Sequence, residues 1–252
     1  MPLTVEEWHQ QFLRQARWTR ELRWHLYRMA GLDTADAVLD VGCGTGAITE
    51  ELRHHTRGEV VGLDLDPAMI EYASRKESDI RWFIGDAHCL PLEDNSFDVV
   101  LCNFLLLWTV DPAVVVREMA RVVRGGGVVL ATTEPDYGGR IDYPEDIALR
   151  PLMEESLRRD GAHPRMGRRL KALFAGAGLE TECGVICSMW DDGQLAREFQ
   201  SEWDFILETL SNVATERELL DYREKASQAL SQGSRVVFMP NFWALGRKPA
   251  TE

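Results

Sequence analysis

Ala37-Val38-Leu39-Asp40-Val41-Gly42-Cys43-Gly44-Thr45-Gly46 carries a short apolar run straight into three glycines at alternate positions. Such a run predicts a buried strand, and the glycines predict a tight turn whose backbone can be approached closely because no Cβ is in the way. A helix is expected next, from about Ala47 to His55. The pattern then repeats. Val60-Val61-Gly62-Leu63 ends at Asp64, and Pro67 opens a helix through Met69, Ile70, Tyr72 and Ala73 with Asp66 as its N-cap. Ile80 to Ile84 ends at Gly85-Asp86. Phe97 to Asn103 forms a fourth strand, and Asp111-Pro112 starts a helix that ends near Arg124. Gly125-Gly126-Gly127 turns the chain into a fifth strand, Val128 to Thr133. Short apolar strands alternating with helices define a doubly wound α/β fold around a mostly parallel sheet.

Outside this block the alternation stops. The first thirty residues place Trp8, Phe12, Leu13, Ala16, Leu22, Leu26 and Met29 at steps of three and four, which predicts one or two amphipathic helices ending at Gly31. After Glu134 a loop rich in Pro, Tyr and Asp leads to helices at about Ile147 to Arg159 and Gly167 to Ala177, then a strand at about Thr181 to Met189. Helices at about Gln194 to Leu210 and Thr215 to Leu230 precede a closing strand at Phe242 to Gly246. The organisation expected is one domain over 1–252, with a helical cover at 1–36, a ligand-binding core at 37–134 and helical insertions at 135–178 and 190–234.

The 252 residues are 45% hydrophobic and 27% charged, enough apolar material for one sizeable core. The net charge of −13 opposes a nucleic acid partner, whose phosphates an acidic surface repels. No apolar run approaches the roughly 20 residues needed to span a bilayer, and Met1 to Glu7 has neither the basic nor the apolar region of a signal peptide. The five cysteines, Cys43, Cys89, Cys102, Cys183 and Cys187, are odd in number and contain no Cys-x-x-Cys pair. Reduced thiols in a cytoplasmic protein without a metal site are expected.

In an open parallel sheet, ligands bind beyond the carboxyl ends of the strands. Asp40, Gly42, Asp64, Asp86, Asn103 and Glu134 all fall at such ends. Asp64 lies about 20 residues after the glycines, where a carboxylate accepts from a ribose diol. The spacing Gly42-x-Gly44-x-Gly46 differs from the Gly-x-Gly-x-x-Gly that admits a dinucleotide pyrophosphate.

Val38 to Gly46 resembles the glycine motif of class I S-adenosylmethionine-dependent methyltransferases, and Gly62-Leu63-Asp64-Leu65-Asp66-Pro67-Ala68-Met69 is similar to that family's ribose motif. Gly85-Asp86-Ala87, Leu90-Pro91 and Asn95-Ser96-Phe97-Asp98 resemble its adenine motif and fourth strand, and Arg121 to Gly127 the entry to its fifth. The resemblance points to the small-molecule, ubiquinone/menaquinone C-methyltransferase-like branch. It implies a seven-stranded sheet with a last antiparallel strand, S-adenosylmethionine as cofactor and S-adenosylhomocysteine as product. It further implies that Asp40, Gly42, Cys43 and Gly44 bind the cofactor, with the backbone at Gly42 to Gly44 against the methionine and ribose. Asp64 would hold the ribose hydroxyls, Leu65 would pack on the adenine, Asp86 and Ala87 would bond it, and Asn103 would lie near the transferable methyl.

No histidine follows the fourth strand; Phe104-Leu105-Leu106-Leu107-Trp108 reads as helix–sheet packing. Acceptor-side candidates are Glu134, Asp136 and Tyr137. The amino-terminal residues Trp8, Phe12 and Trp18 are either lid residues or packing on the sheet edge. Arg150, Arg158, Arg159, Arg165, Arg168, Arg169 and Lys171 form a basic stretch. It is either a set of solvated helix faces offset by Glu154, Glu155 and Asp160, or an anion-binding rim. The function expected is methyl transfer to a small organic acceptor. The competing expectations are a non-catalytic cofactor-binding module and a tRNA or protein methyltransferase.

Overall fold

The computed structural model describes residues 3–76 and 79–250, so Met1 and Pro2 of the amino-terminal stretch lie outside it. The chain forms two compact units. The first comprises Met1–Glu134, Arg169–Gly184 and Phe242–Glu252, and the second Pro135–Arg168 and Val185–Asn241.

The first unit opens with helix α1 (Val5–Ala30). Thr4 starts it through a capping box: its hydroxyl accepts from the Glu7 amide, and the Glu7 carboxylate accepts from the Thr4 amide at 2.7 Å. Gly31, at φ 72°, ends it. There follow β1 (Ala37–Val41), α2 (Thr49–Leu52), β2 (Glu59–Asp64), α3 (Pro67–Lys76), β3 (Arg81–Ile84), β4 (Phe97–Cys102), α4 (Pro112–Val122) and β5 (Val123–Pro135). Asp66 caps α3 by accepting from the Ala68 amide, and Asp111 caps α4 by accepting from Ala113 and Val114. Helix α6 (Leu170–Gly176), expected within an insertion, packs on α4 in this unit.

The sheet of this unit runs β3-β2-β1-β4-β5, continues to β8 (Val236–Arg247), and β7 (Glu180–Met189) also pairs with β8. Strands β1 to β5 are parallel and in step. Val41 lies beside Leu63 and Cys102, and Asp64 beside Ile84, so the residues that follow each strand emerge along one edge. Val38, Leu39, Val60, Leu63, Val100, Leu101, Val129 and Leu130 are buried. Each contributes about 1.5–3 kcal/mol relative to exposure, which is what holds the register of strands hydrophobic on both faces.

Three of the expected elements differ from the sequence pattern. α2 is a single turn of helix, because turns occupy the rest of 47–55. The three glycines sit inside β5, where the pairing shifts from Phe97 beside Val123 to Val99 beside Val128, so they form a bulge instead of a turn ahead of the strand. β8 begins six residues before the expected Phe242, at Val236.

In the second unit a short strand, β6 (Ile141–Tyr143), pairs antiparallel with the start of β8, Ile141 beside Phe238 and Tyr143 beside Val236. Helices α5 (Leu149–Arg159), α7 (Asp192–Thr209) and α8 (Glu216–Ser231) bury Ile147, Leu149, Trp203, Ile206, Leu210, Leu219 and Ala226 together. Among the described residues no helix is long and apolar enough to cross a membrane. Cys43, Cys89, Cys102 and Cys183 are free thiols, and the side chain of Cys187 lies outside the described residues.

Candidate cofactor site

The glycine turn is built by the strands beneath it. The amides of Gly42 and Cys43 both donate to the Leu63 carbonyl, at 2.7 and 3.0 Å, which ties the turn to the end of β2. Gly42 and Gly44 have φ of 71° and 53°, backbone that side chains disfavour. Space adds a second constraint. A Cβ on Gly42 would lie 2.6 Å from Leu105 Cδ1, and one on Gly44 3.1 Å from Phe12 Cε2. Phe12 reaches the turn from α1, stacked against Trp8, and His9 anchors the same helix through a 2.8 Å bond between Nδ1 and Thr45 Oγ1. Phe12 is thus beside Gly44, and Trp8 lies against Phe12.

Asp64 uses one lone pair of each oxygen locally: Oδ2 accepts from the Gly44 amide at 2.7 Å and Oδ1 from the Asp66 amide at 2.9 Å. These bonds fix the carboxylate beside the turn and leave a second acceptor position on each oxygen. Leu65 and Ile84, at the ends of β2 and β3, are 67% and 56% exposed, apolar surface of the kind a purine ring covers. Asp86 turns Oδ1 to both the His88 amide and His88 Nδ1, while Oδ2 has no partner among the described residues. Those bonds hold its carboxyl below the usual carboxylate range, so it is an acceptor at neutral pH. The His88 ring also accepts from the Asp111 amide, locking the Asp86 loop to the start of α4. Ala87 is buried next to it. Asn103 is half-buried, and its Oδ1 accepts from Thr132 at 2.8 Å, leaving its NH₂ group to donate.

Asp40 and Cys43 lie deeper. Asp40 is 1% exposed and accepts from Thr49 at 2.7 Å, so it braces the turn from below. Burial pushes its carboxyl from the usual 3.8 up to about 7; the Thr49 hydroxyl opposes this and Asp64 adds to it. Burial also raises the Cys43 thiol, which stays neutral. The folded state therefore holds a proton on Asp40 that the unfolded chain has released, and stability falls as pH rises from about 4 to about 7. Asp40→Asn keeps an acceptor for Thr49 and cannot ionise. Its thermal midpoint is expected to fall less than wild type between pH 5 and 8, and parallel curves would refute this.

Glu134 is 0% exposed. Its Oε1 accepts from the Leu105 and Leu106 amides at 2.9 and 2.8 Å, and Oε2 from Leu107 at 3.2 Å. Geometrically it is a clamp on the segment after β4, where Phe104 holds a left-handed φ of 53°; Leu106 and Leu107 are buried as expected for packing, whereas Trp108, expected to pack with them, is 52% exposed. Burial pushes the Glu134 carboxyl up to about 8, against three amides that favour its ionised form. Tyr137 belongs to the second unit, half-buried, its amide donating to Pro164. Burial raises its phenol pKa, so it keeps its proton at neutral pH. Asp136, also in that unit, is buried and paired with Arg168.

Thr49, Thr132 and His88 were not singled out in the sequence, yet they orient Asp40, Asn103 and Asp86. Only His88, two residues from its partner, left a local signal.

The doubly wound sheet thus carries a fixed glycine turn, a carboxylate with open acceptor positions and an apolar shelf along one strand edge. Comparison with known proteins gives the family. Residues 39–131 match the model of the family described as "Methyltransferase domain". A demethylmenaquinone methyltransferase from Renibacterium salmoninarum is 33% identical over 159 residues, 61% of this chain and 67% of that protein. A malonyl-[acyl-carrier protein] O-methyltransferase from Yersinia pestis is 33% identical over 45% of this chain and 42% of its own length. The chain spans about half or less of the length of the curated relatives it matches first. The fold is shared with phosphoethanolamine N-methyltransferase 2 from Haemonchus contortus, solved in complex with S-adenosyl-L-methionine. That match has a TM-score of 0.60 and 18% identity, over 91% of this chain and 52% of that one. The chain belongs to the class I S-adenosylmethionine-dependent methyltransferases.

Proposed function

We propose that the chain transfers a methyl group from S-adenosylmethionine to a small organic acceptor, with S-adenosylhomocysteine as product. The observation that carries this reading is the pair of open acceptor positions on Asp64, fixed beside a glycine turn that has no room for a Cβ. S-adenosylmethionine, when bound, supplies an electrophilic methyl group on a sulfonium. Asp64 would accept from the ribose hydroxyls, Asp86 Oδ2 from the adenine amino group, and Leu65 and Ile84 would cover the ring. Asn103 would donate towards the methionine end.

The residues beside the turn bind, orient and exclude water; the reaction needs donor and acceptor held in line. A general base is needed only for an acceptor that keeps its proton at neutral pH. The net charge of −13 favours a small acceptor over a polyanion, and a demethylmenaquinone methyltransferase among the relatives fits the same class.

Calorimetry on the full chain is expected to show one equivalent of S-adenosylhomocysteine bound. Incubation of fractionated cell extract with methyl-labelled S-adenosylmethionine is expected to place label in the small-metabolite fraction. Folded protein that binds neither compound would sink the reading, and label confined to tRNA or protein would overturn the acceptor class.

A further inference from the structure

The second unit contains a cavity of about 380 Å³ lined by Arg150, Arg158, Arg165, Arg168, Glu154 and Glu155, with Gly138 and Pro151. We propose that it is a binding site for a small organic phosphate, a site independent of the methyl-transfer reading.

The arginines are held in place from below. Arg165 spends Nε and Nη2 on Glu154, at 3.1 and 2.8 Å, and Arg158 Nη2 pairs with the same carboxylate. Arg168 spends Nε and Nη2 on Asp136, the latter bond at 2.8 Å. Glu154 and Asp136 are themselves buried, while the Arg158, Arg165 and Arg168 side chains are about half exposed. A guanidinium whose Nε edge is fixed on a buried carboxylate keeps its remaining Nη1 donors available in a set direction, with little entropy left to lose on binding.

Arg150 is exposed and has no ion-pair partner among the described residues. Four guanidiniums thus face two lining carboxylates and one beneath them, a local positive excess on a chain of net charge −13. Planar forked donors converging on one space suit a phosphoryl group. The volume falls within the range of small-molecule sites, about 300–1,000 Å³, so it has room for an organic substituent as well as the anion.

Gly138 supplies an independent handle. A Cβ there would lie 2.8 Å from Arg165 Nε and 2.9 Å from Arg168 Nη2. Gly138→Ala therefore pushes both forks aside and removes no charge. Arg150→Gln removes one donor set and leaves no buried carboxylate unpaired.

The test is calorimetry on the full chain at fixed ionic strength with phenyl phosphate as probe. Succinate and a short single-stranded RNA serve as comparison ligands, and thermal unfolding confirms that each variant is folded. One equivalent of phenyl phosphate is expected to bind. Arg150→Gln and Gly138→Ala should each weaken it about tenfold, the loss of one charge-assisted bond. Arg217→Gln, exposed on α8 and outside the lining, should leave it unchanged. Absence of saturable binding would overturn the proposal. So would equal weakening by Arg217→Gln, or binding of succinate or RNA as tight as that of phenyl phosphate.

Discussion

Replacing Asp64 with alanine is expected to reduce affinity for S-adenosylhomocysteine by about a hundredfold or more. The figure follows from two hydrogen bonds to a charged acceptor, at roughly 1.5–3 kcal/mol each. The structure adds a second loss. Asp64 also fixes the Gly44 amide, so its removal frees the turn against which the ligand would lie. Asp64→Asn separates the two effects: it retains one carbonyl acceptor and is expected to fall between wild type and alanine. Calorimetry on folded variants checks both. An alanine variant within threefold of wild type would show that the carboxylate serves only its neighbouring amides.

Glu134→Ala is expected to destabilise the protein by about 3 kcal/mol, from leaving buried donors unpaired at about 1–3 kcal/mol each and recovering part of the cost of burying a polar carboxyl group. The three amides at Leu105, Leu106 and Leu107 lose their acceptor, and Phe104 keeps its left-handed conformation without that support. Glu134→Gln distinguishes the clamp from a general loss of packing. Oε1 serves two of the three amides, so the carboxamide oxygen can keep Leu105 and Leu106 and forfeit only Leu107. Its cost is expected to be about 1–2 kcal/mol, because the carboxamide nitrogen then faces the Leu107 amide and leaves that buried donor unpaired. Urea unfolding measures both. Equal destabilisation by alanine and glutamine would mean that the bond pattern is not what matters at this position.

The nature of these two carboxylates marks the limit of sequence reading. Asp64 is picked out by place alone, the end of a short apolar run at a fixed distance after a glycine turn, and the structure puts its carboxylate beside that turn. Asp66 was legible as a cap, and Asp111-Pro112 as a helix start, because each aspartate bonds amides two or three residues away. Glu134 also ends an apolar run, and position alone put it among acceptor-side candidates. Its partners lie 27 to 29 residues upstream, across a strand pairing that a linear pattern does not reveal. Asp40 carries the same lesson on a shorter scale, its buried partner Thr49 standing nine residues on.

Strand β6 was missed for a similar reason. Three residues are too few for a periodic signal, and the strand exists through pairing with 236–238, more than ninety residues later. The glycine run within β5 has the sequence signature of a turn because glycine marks both turns and bulges, and only the neighbouring strand decides between them.

The last strand has a bearing on how the polypeptide acquires its structure during synthesis. β8 passes from one compact unit into the other, with 236–241 serving the second and 242–247 the first. A nascent chain released only as far as α8 has neither half, so β6 lacks its hydrogen-bonded neighbour and the larger sheet ends at an unpaired edge. Both units reach completion from one late segment, a non-local closure that couples their final folding steps and leaves strand edges open until translation has passed it.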